Sequence, residues 1–288
     1  MIYKTKEGEI RLQLCNHYTR KMMELSKREV SDIQIDIIKT VDSFCKKNDI
    51  QYCLAYGSLL GAVRHGGYIP WDDDVDIAMP RESYNRFLLQ FSDDNYQLLS
   101  CESNTKYPFP FAKLCDNSSK LVEEMSLPSV EHGIDIDIFP IDNLPDNKAL
   151  IILKYGLVRI LRTIIDIKSI PIRKRKNKMK NYILWIGKAL FCFLSANKIS
   201  TLINKICSRD KKGSYMGIIV WGYGVRQAVQ AAIFDEYTNI LFEGVSLIVP
   251  TRYSEWLSSI YGDYMQLPSE ENRITHHRRK AYKLEDEE

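Results

Sequence analysis

Between Ser31 and Asn48 apolar residues recur at helical spacing, with Ile37, Ile38, Val41, Phe44 and Cys45 on one face. Ser31 and Gln34 stand three apart as a capping box, so the pattern predicts a helix from Ser31 to about Asn48. The period then shortens. Gln51 to Tyr56 reads as a short strand, Gly57 to Gly67 as a glycine-rich segment, and Asp76 to Met79 as a second strand. Pro80 is placed to open a helix from about Arg81 to Phe91. Strand-like runs follow at Tyr96 to Cys101, Phe111 to Leu114, Leu121 to Glu124 and Ile134 to Phe139. From Asn147 to Ile206 the pattern becomes long helices, broken around Ile170-Pro171 and Asn197. A glycine-rich stretch (Gly213 to Gly224), a strand at Val245 to Val249, a helix from about Tyr253 to Tyr261 and a polar tail close the chain. The expected fold is mixed α/β. Residues 1–146 would form N-terminal helices and a catalytic core, 147–212 a basic helical insertion, and 213–288 a segment packing back on the core.

Composition narrows the class. The 288 residues are 45% hydrophobic and 27% charged, the balance of a globular protein, which excludes a disordered tail, a collagen-like fibre and a disulfide miniprotein. The net charge of +3 hides a division: residues 151–212 hold 16 basic and 2 acidic side chains, and the remaining chain 24 and 35. Seven cysteines without a C-x-x-C pair suit thiols in a reducing compartment better than a disulfide framework or a zinc cage. The N-terminus lacks the apolar core of a signal peptide. The most apolar stretch, Tyr182 to Ala196, is interrupted by Lys188 and is shorter than the roughly 20 residues that span a bilayer. These features place the chain in the cytoplasm.

The chemistry concentrates in Trp71-Asp-Asp-Asp-Val-Asp-Ile77. Side chains alternate along a strand, so Asp72, Asp74 and Asp76 share one face while Val75 and Ile77 enter the core. An acidic turn in water is the plain alternative, but aromatic and aliphatic residues flank these carboxylates on both sides. Carboxylates in such a setting repel and pay for desolvation unless a cation sits among them. Mg²⁺ takes oxygen ligands and leaves positions for substrate phosphates. A second alternation, Asp135 and Asp137 between isoleucines, favours one shared metal site over two solvated sheet faces. Upstream, Gly57-Ser58 follows a predicted strand; glycine lets backbone N–H groups approach a phosphate and Ser58 adds a hydroxyl. Arg64 and His65 add donors suited to a diphosphate, or are surface charge beside a turn.

Gly57-Ser58, Asp74-x-Asp76 and the later Asp137 resemble the active-site pattern of the nucleotidyltransferase superfamily. The whole run from Gly57 to Arg81 resembles the LicD family of phosphotransferases, distantly related to fukutin and fukutin-related protein. His132 to Asp142, Phe242-Glu-Gly244, Tyr261-Gly-Asp-Tyr264 and Thr275-His-His277 extend the likeness over most of the chain. The resemblance implies a nucleotidyltransferase-like mixed-sheet core and transfer of a phosphoalcohol, commonly phosphocholine from CDP-choline, to a hydroxyl of a surface glycan or its lipid-linked precursor. It further implies Mg²⁺ or Mn²⁺ on Asp74, Asp76 and Asp137, with Asp72 as a further or supporting ligand. Asp76 or Asp137 would take the acceptor's proton; Glu243, His276 and His277 are lesser candidates. Lys113 would contact phosphate or be a half-exposed strand lysine, and Asp135 ranks below Asp137 because relatives carry an apolar residue there. Relatives also carry Arg where Cys115 stands, so one donor is missing or comes from elsewhere.

The basic run Arg173 to Lys180, beside apolar helices, could meet an anionic membrane at the inner face of the cell or be a solvated loop. No nucleic-acid module accompanies it. Three competing readings remain open: a CDP-ribitol or CDP-glycerol transferase, a nucleotidyltransferase acting on a small molecule, and a membrane-surface binding protein with a vestigial site.

Overall fold

The chain opens with three strands rather than helices: β1 (Ile2–Lys4), β2 (Ile10–Cys15) and β3 (Tyr18–Glu24). The alternation in Ile10-Arg-Leu-Gln-Leu14 carries that signal. The computed structural model describes residues 2–4, 10–15, 18–123, 130–172, 178–273 and 279–285. Helix α1 (Lys27–Lys47) follows, one turn earlier than the predicted start. Its cap is Ser26, which accepts from the Glu29 N–H while the Glu29 carboxylate accepts from the Ser26 N–H; Ser26-x-x-Glu29 is the stronger box. Gln34 is freed for another task. It is buried, and its Nε2 donates to the carbonyls of Asp73 and Asp135 at 3.2 Å each.

Next come β4 (Cys53–Leu54), helix α2 (Tyr56–His65), β5 (Asp76–Pro80), helix α3 (Arg81–Gln90), β6 (Tyr96–Leu99), β7 (Ala112–Asp116), β8 (Ser119–Glu123) and β9 (Asp135–Leu144). The glycine-rich segment is therefore mostly helical, because Leu59, Leu60 and Ala62 fall on a face that is buried. The helical segment holds α4 (Lys148–Ser169), α5 (Lys178–Leu190) and α6 (Ala196–Cys207), with its second break at 191–195 rather than at Asn197. Strands β10 (Tyr215–Gly217), β11 (Val229–Gln230), β12 (Tyr237–Phe242) and β13 (Val245–Pro250), helix α7 (Tyr253–Tyr261) and strand β14 (Arg279–Glu285) complete the order. The last corrects the expected polar tail: β14 runs between β3 and β8 in a five-stranded sheet.

The central sheet has seven strands, and ten-residue β9 is its hub. One edge of β9 pairs in parallel with β5; the other pairs with β7 at its start and β10 at its end, both antiparallel. Parallel neighbours buried on both faces read as apolar runs, and Ile77, Ala78, Met79, Ile136, Ile138 and Ile141 are fully buried. Helices α1 and α3 meet through Phe44 and Phe87, ring centroids 5.7 Å apart. The helical segment is tied to the sheet by a buried polar clamp: Arg81 donates Nε and Nη2 to the Asp142 carboxylate at 2.6 and 2.8 Å, and Nη1 to Asn204 of α6 at 3.1 Å.

Candidate active site

The parallel register sets Asp76 of β5 opposite Asp137 of β9, so two carboxylates from distant parts of the chain lie side by side. On the other edge of β9, Lys113 of β7 lies opposite Asp137. Its ammonium sits 2.6 Å from Asp137 Oδ1 and 3.1 Å from Asp135 Oδ2, and it is nearly buried. Asp72 and Asp74 precede the strand, yet both line the same cleft as Asp76, so the alternation extends past the regular strand. Asp73 points the other way, with Arg279 Nε 3.6 Å from its Oδ2. Arg279 also comes within 3.7 Å of Asp135 and 3.9 Å of Asp74, which brings a cation from β14 to a sheet whose β7 carries Cys115 buried opposite Asp135.

The turn from β4 into α2 fixes the opposite wall. Tyr56 adopts φ 44°, in the left-handed region that costs a bulky residue strain. It is held there by an edge-on contact with Phe139 at 5.2 Å and a hydrogen bond from its hydroxyl to Gln227. The turn brings Gly57 against Asp72: a Cβ at Gly57 would lie 2.4 Å from Asp72 Oδ2. It also brings Ser58 beneath Asp76, where the Ser58 hydroxyl accepts from the Asp76 N–H at 2.8 Å.

The cleft has a volume of about 450 Å³. Asp72, Asp74, Asp76 and Asp137 face it, and Tyr56, Trp71, Trp221, Tyr223 and Tyr261 supply aromatic walls. Among the described residues that line it, Arg162 of α4 is the one cation. The guanidinium stacks 4.0 Å over the Trp221 ring, and its Nε is buried without a hydrogen-bond partner. A second cavity, about 660 Å³, shares Arg162, Gly222 and Tyr223 with the first and continues along α4 past Arg159 and Ile152.

The electrostatics follow from crowding. Burial, then the charge of Asp74, pushes the Asp72 carboxyl up to about 7. Burial and the charges of Asp74, Asp137 and Asp72 push Asp76 well above the usual carboxylate range. Asp137 is pushed up to about 6 by burial, with Lys113 opposing. For Asp135 burial also raises the pKa, but Lys113, His132 and Arg279 together carry it below its ordinary value. Asp135 is thus held ionised by the protein's own cations, whereas burial and mutual repulsion favour the neutral forms of Asp72, Asp76 and Asp137 and leave these three in want of a further cation.

The structure brings Asp72, Asp74, Asp76, Asp137 and Gly57 together at the cleft and puts Lys113 beside it. Ser58 is buried under the floor. Arg64 and His65 do not line the cleft: Arg64 donates to the Tyr264 carbonyl at 3.1 Å and to the His65 ring at 3.0 Å. Glu243 is structural, its carboxylate accepting from the Tyr68 N–H at 3.0 Å while its own N–H donates to the Gly66 carbonyl. His276 and His277 lie outside the described residues, as does the basic run from Arg173 through Asn177. Sequence reasoning missed Arg162, Trp221, Tyr223 and Arg279. Tyr261 stood in a quoted motif without a role; nothing around Arg162 distinguishes it from the other basic residues of its helix.

The family model described as LicD/FKTN/FKRP, nucleotidyltransferase domain, matches residues 49–149, the stretch that supplies all four carboxylates of the cleft. The lipopolysaccharide cholinephosphotransferase LicD of Haemophilus influenzae is 31% identical over 276 residues, covering 91% of this chain and 100% of its own length. Shorter matches reach uncharacterised proteins of Rickettsia typhi, 40% identical over 65 residues (22% of this chain, 21% of the relative), and Rickettsia prowazekii, 36% over 86 residues (29% and 32%).

Proposed function

The chain belongs to the LicD family, and we propose that it is a phosphotransferase moving phosphocholine from CDP-choline to a hydroxyl of a lipopolysaccharide or its lipid-linked precursor. The observation that carries this reading is the charge of the cleft: four carboxylates, of which burial and mutual repulsion raise the pKa of Asp72, Asp76 and Asp137, face, among the described residues, one arginine and a wall of aromatic rings. Such a donor set fits a hard divalent cation. Every candidate ligand is oxygen, and Asp76 and Asp137 lie opposite each other across paired strands while Asp72 and Asp74 line the same cleft. Asp72, Asp74, Asp76 and Asp137 would hold Mg²⁺ or Mn²⁺, which supplies charge neutralisation for a diphosphate and its leaving group.

The chain's own groups account for the rest. Arg162, desolvated by Trp221 and with an unpaired Nε, is placed to pair with a phosphate oxygen. Asp76 or Asp137, side by side at the cleft, is placed to take the proton of the attacking hydroxyl. The acceptor oxygen bonds to the choline-bearing phosphorus as the bond to the bridging oxygen breaks, and CMP leaves with that electron pair. Tyr56, Tyr223 and Tyr261 make successive ring contacts at 5.8 and 5.2 Å, surfaces that attract a quaternary ammonium. The name of the Haemophilus relative supports phosphocholine and lipopolysaccharide as the pair. The free thiols Cys45, Cys53, Cys101, Cys115 and Cys207, all buried, favour the cytoplasm as the place of reaction.

The test is nucleotide release from purified protein with Mg²⁺ and, in turn, CDP-choline, CDP-ribitol and CDP-glycerol, each with and without EDTA and an acceptor glycan. CMP should appear with CDP-choline, stop with EDTA and be absent from Asp76→Ala. CMP from another CDP-alcohol alone would reassign the substrate. Pyrophosphate from a nucleoside triphosphate would replace the reaction by nucleotidyl transfer.

A further inference from the structure

Helices α4 and α5 carry large apolar side chains on their outer faces. On α4, Leu150, Leu153, Leu157 and Ile160 recur at alternating steps of three and four residues and are exposed, Leu153 to 67%. The seam continues at Ile164 and Ile167, where α5 covers it: Ile167 Cγ2 lies 3.0 Å from where a Cβ on Gly187 would stand. Among the described residues nothing covers the first half of the seam in this way. Helix α5 repeats the pattern with Met179, Ile183, Ile186 and Leu190, and Phe193 just beyond its end is 77% exposed. Tyr182 and Trp185 are exposed as well. Apolar surface of this extent marks a docking site.

Charge chooses the occupant. Residues 151–212 hold 16 basic and 2 acidic side chains, so a second copy seated on this face would bring two strongly positive segments together. An anionic lipid surface takes both properties at once: apolar side chains enter the acyl boundary, lysines and arginines meet the headgroups, and Trp and Tyr settle between. Among the described residues no helix is long and apolar enough to cross a membrane, so the contact lies along the surface. The same α4 presents Ile152, Arg159 and Arg162 to the groove that joins the acidic cleft.

We propose that the exposed apolar faces of α4 and α5 dock the protein on an anionic bilayer, with the groove opening toward a lipid-linked acceptor held there. Docking is independent of which alcohol is transferred. Sedimentation with vesicles of phosphatidylglycerol in phosphatidylcholine, against phosphatidylcholine alone, reads it directly. The full chain should bind the anionic vesicles and release them as salt rises. Leu153→Ser with Leu157→Ser, and separately Ile183→Ser with Ile186→Ser, should each weaken binding roughly tenfold or more. Both pairs are exposed, so melting temperature and turnover of a soluble acceptor should not change. Binding retained by both variants would overturn the proposal. So would a wild-type chain that ignores anionic vesicles but forms a dimer, by light scattering, that these substitutions dissociate.

Discussion

The carboxylates of the cleft are held together against their own repulsion, so removing one charge should stabilise the chain when no cation is present. Asp72→Asn is the cleanest perturbation, because the amide keeps an oxygen to accept the Asp73 N–H that Asp72 Oδ1 accepts at 3.3 Å. Raising a carboxyl from 3.8 to about 7 means that its ionised form costs the folded state on the order of 4 kcal/mol. The folded chain holds this proton more tightly than the unfolded chain. The handicap of the wild type is therefore absent below about pH 4, opens as pH rises toward 7, and is level above. In EDTA at pH 8, Asp72→Asn should resist urea by up to about 4 kcal/mol more than the wild type, a rise in melting temperature of up to roughly 8 °C. At pH 5 the advantage should fall to less than half. Saturating Mg²⁺ should reverse the order, since a ligand at about 100 times its Kd adds roughly 2.7 kcal/mol to the form that binds it. A variant less stable than the wild type in EDTA at pH 8, or an advantage that persists unchanged at pH 5, would refute the reasoning.

Lys113→Met leaves Asp135 and Asp137 buried without their shared ammonium, and should cost about 3–5 kcal/mol in urea unfolding. Without a cation the Asp137 carboxyl is pushed up to about 6, so the Mg²⁺ concentration needed for half-maximal turnover should rise as pH falls through that value, and a partly active Lys113 variant should shift the rise to higher pH because the cation that lowers Asp137 is gone. Arg162→Ala should lower kcat/KM by roughly 10- to 100-fold with little change in melting temperature, measured by CMP release. Gly57→Ala places a Cβ 2.4 Å from Asp72 Oδ2, so the Asp72 carboxylate must turn away; activity by CMP release should fall while the melting temperature changes little.

Local pattern reached the elements whose signals are local. The helix at Tyr253–Tyr261 matches its predicted span, and Asp72, Asp74 and Asp76 share a cleft as alternation requires. Where two local signals competed, the stronger one won in the folded chain: Ser26-Lys-Arg-Glu29 displaced Ser31-Asp-Ile-Gln34 as the cap because the Glu29 carboxylate accepts from the Ser26 N–H while Gln34 is drawn into the core. Strand β14 was missed for a different cause. Arg279-Lys-Ala-Tyr-Lys283 has too few apolar residues to announce a strand, and it is ordered by neighbours on both edges, β3 and β8.

The pairing of Asp76 with Asp137 is legible only through the family likeness, since no local rule sets the register of two parallel strands separated by a crossover. Arg162 shows the limit most clearly. In the sequence it is one basic residue among 16 in a segment set apart by its charge. In the fold it is where that segment enters the acidic site, stacked on Trp221 and facing four carboxylates. The division of charge along the chain therefore separates two tasks. On the proposed function the acidic residues gather to hold a cation and a diphosphate, on the proposed docking the outer helix faces meet an anionic surface, and α4 belongs to both, with Arg162 turned to the cleft and Leu153 and Leu157 turned to the outside.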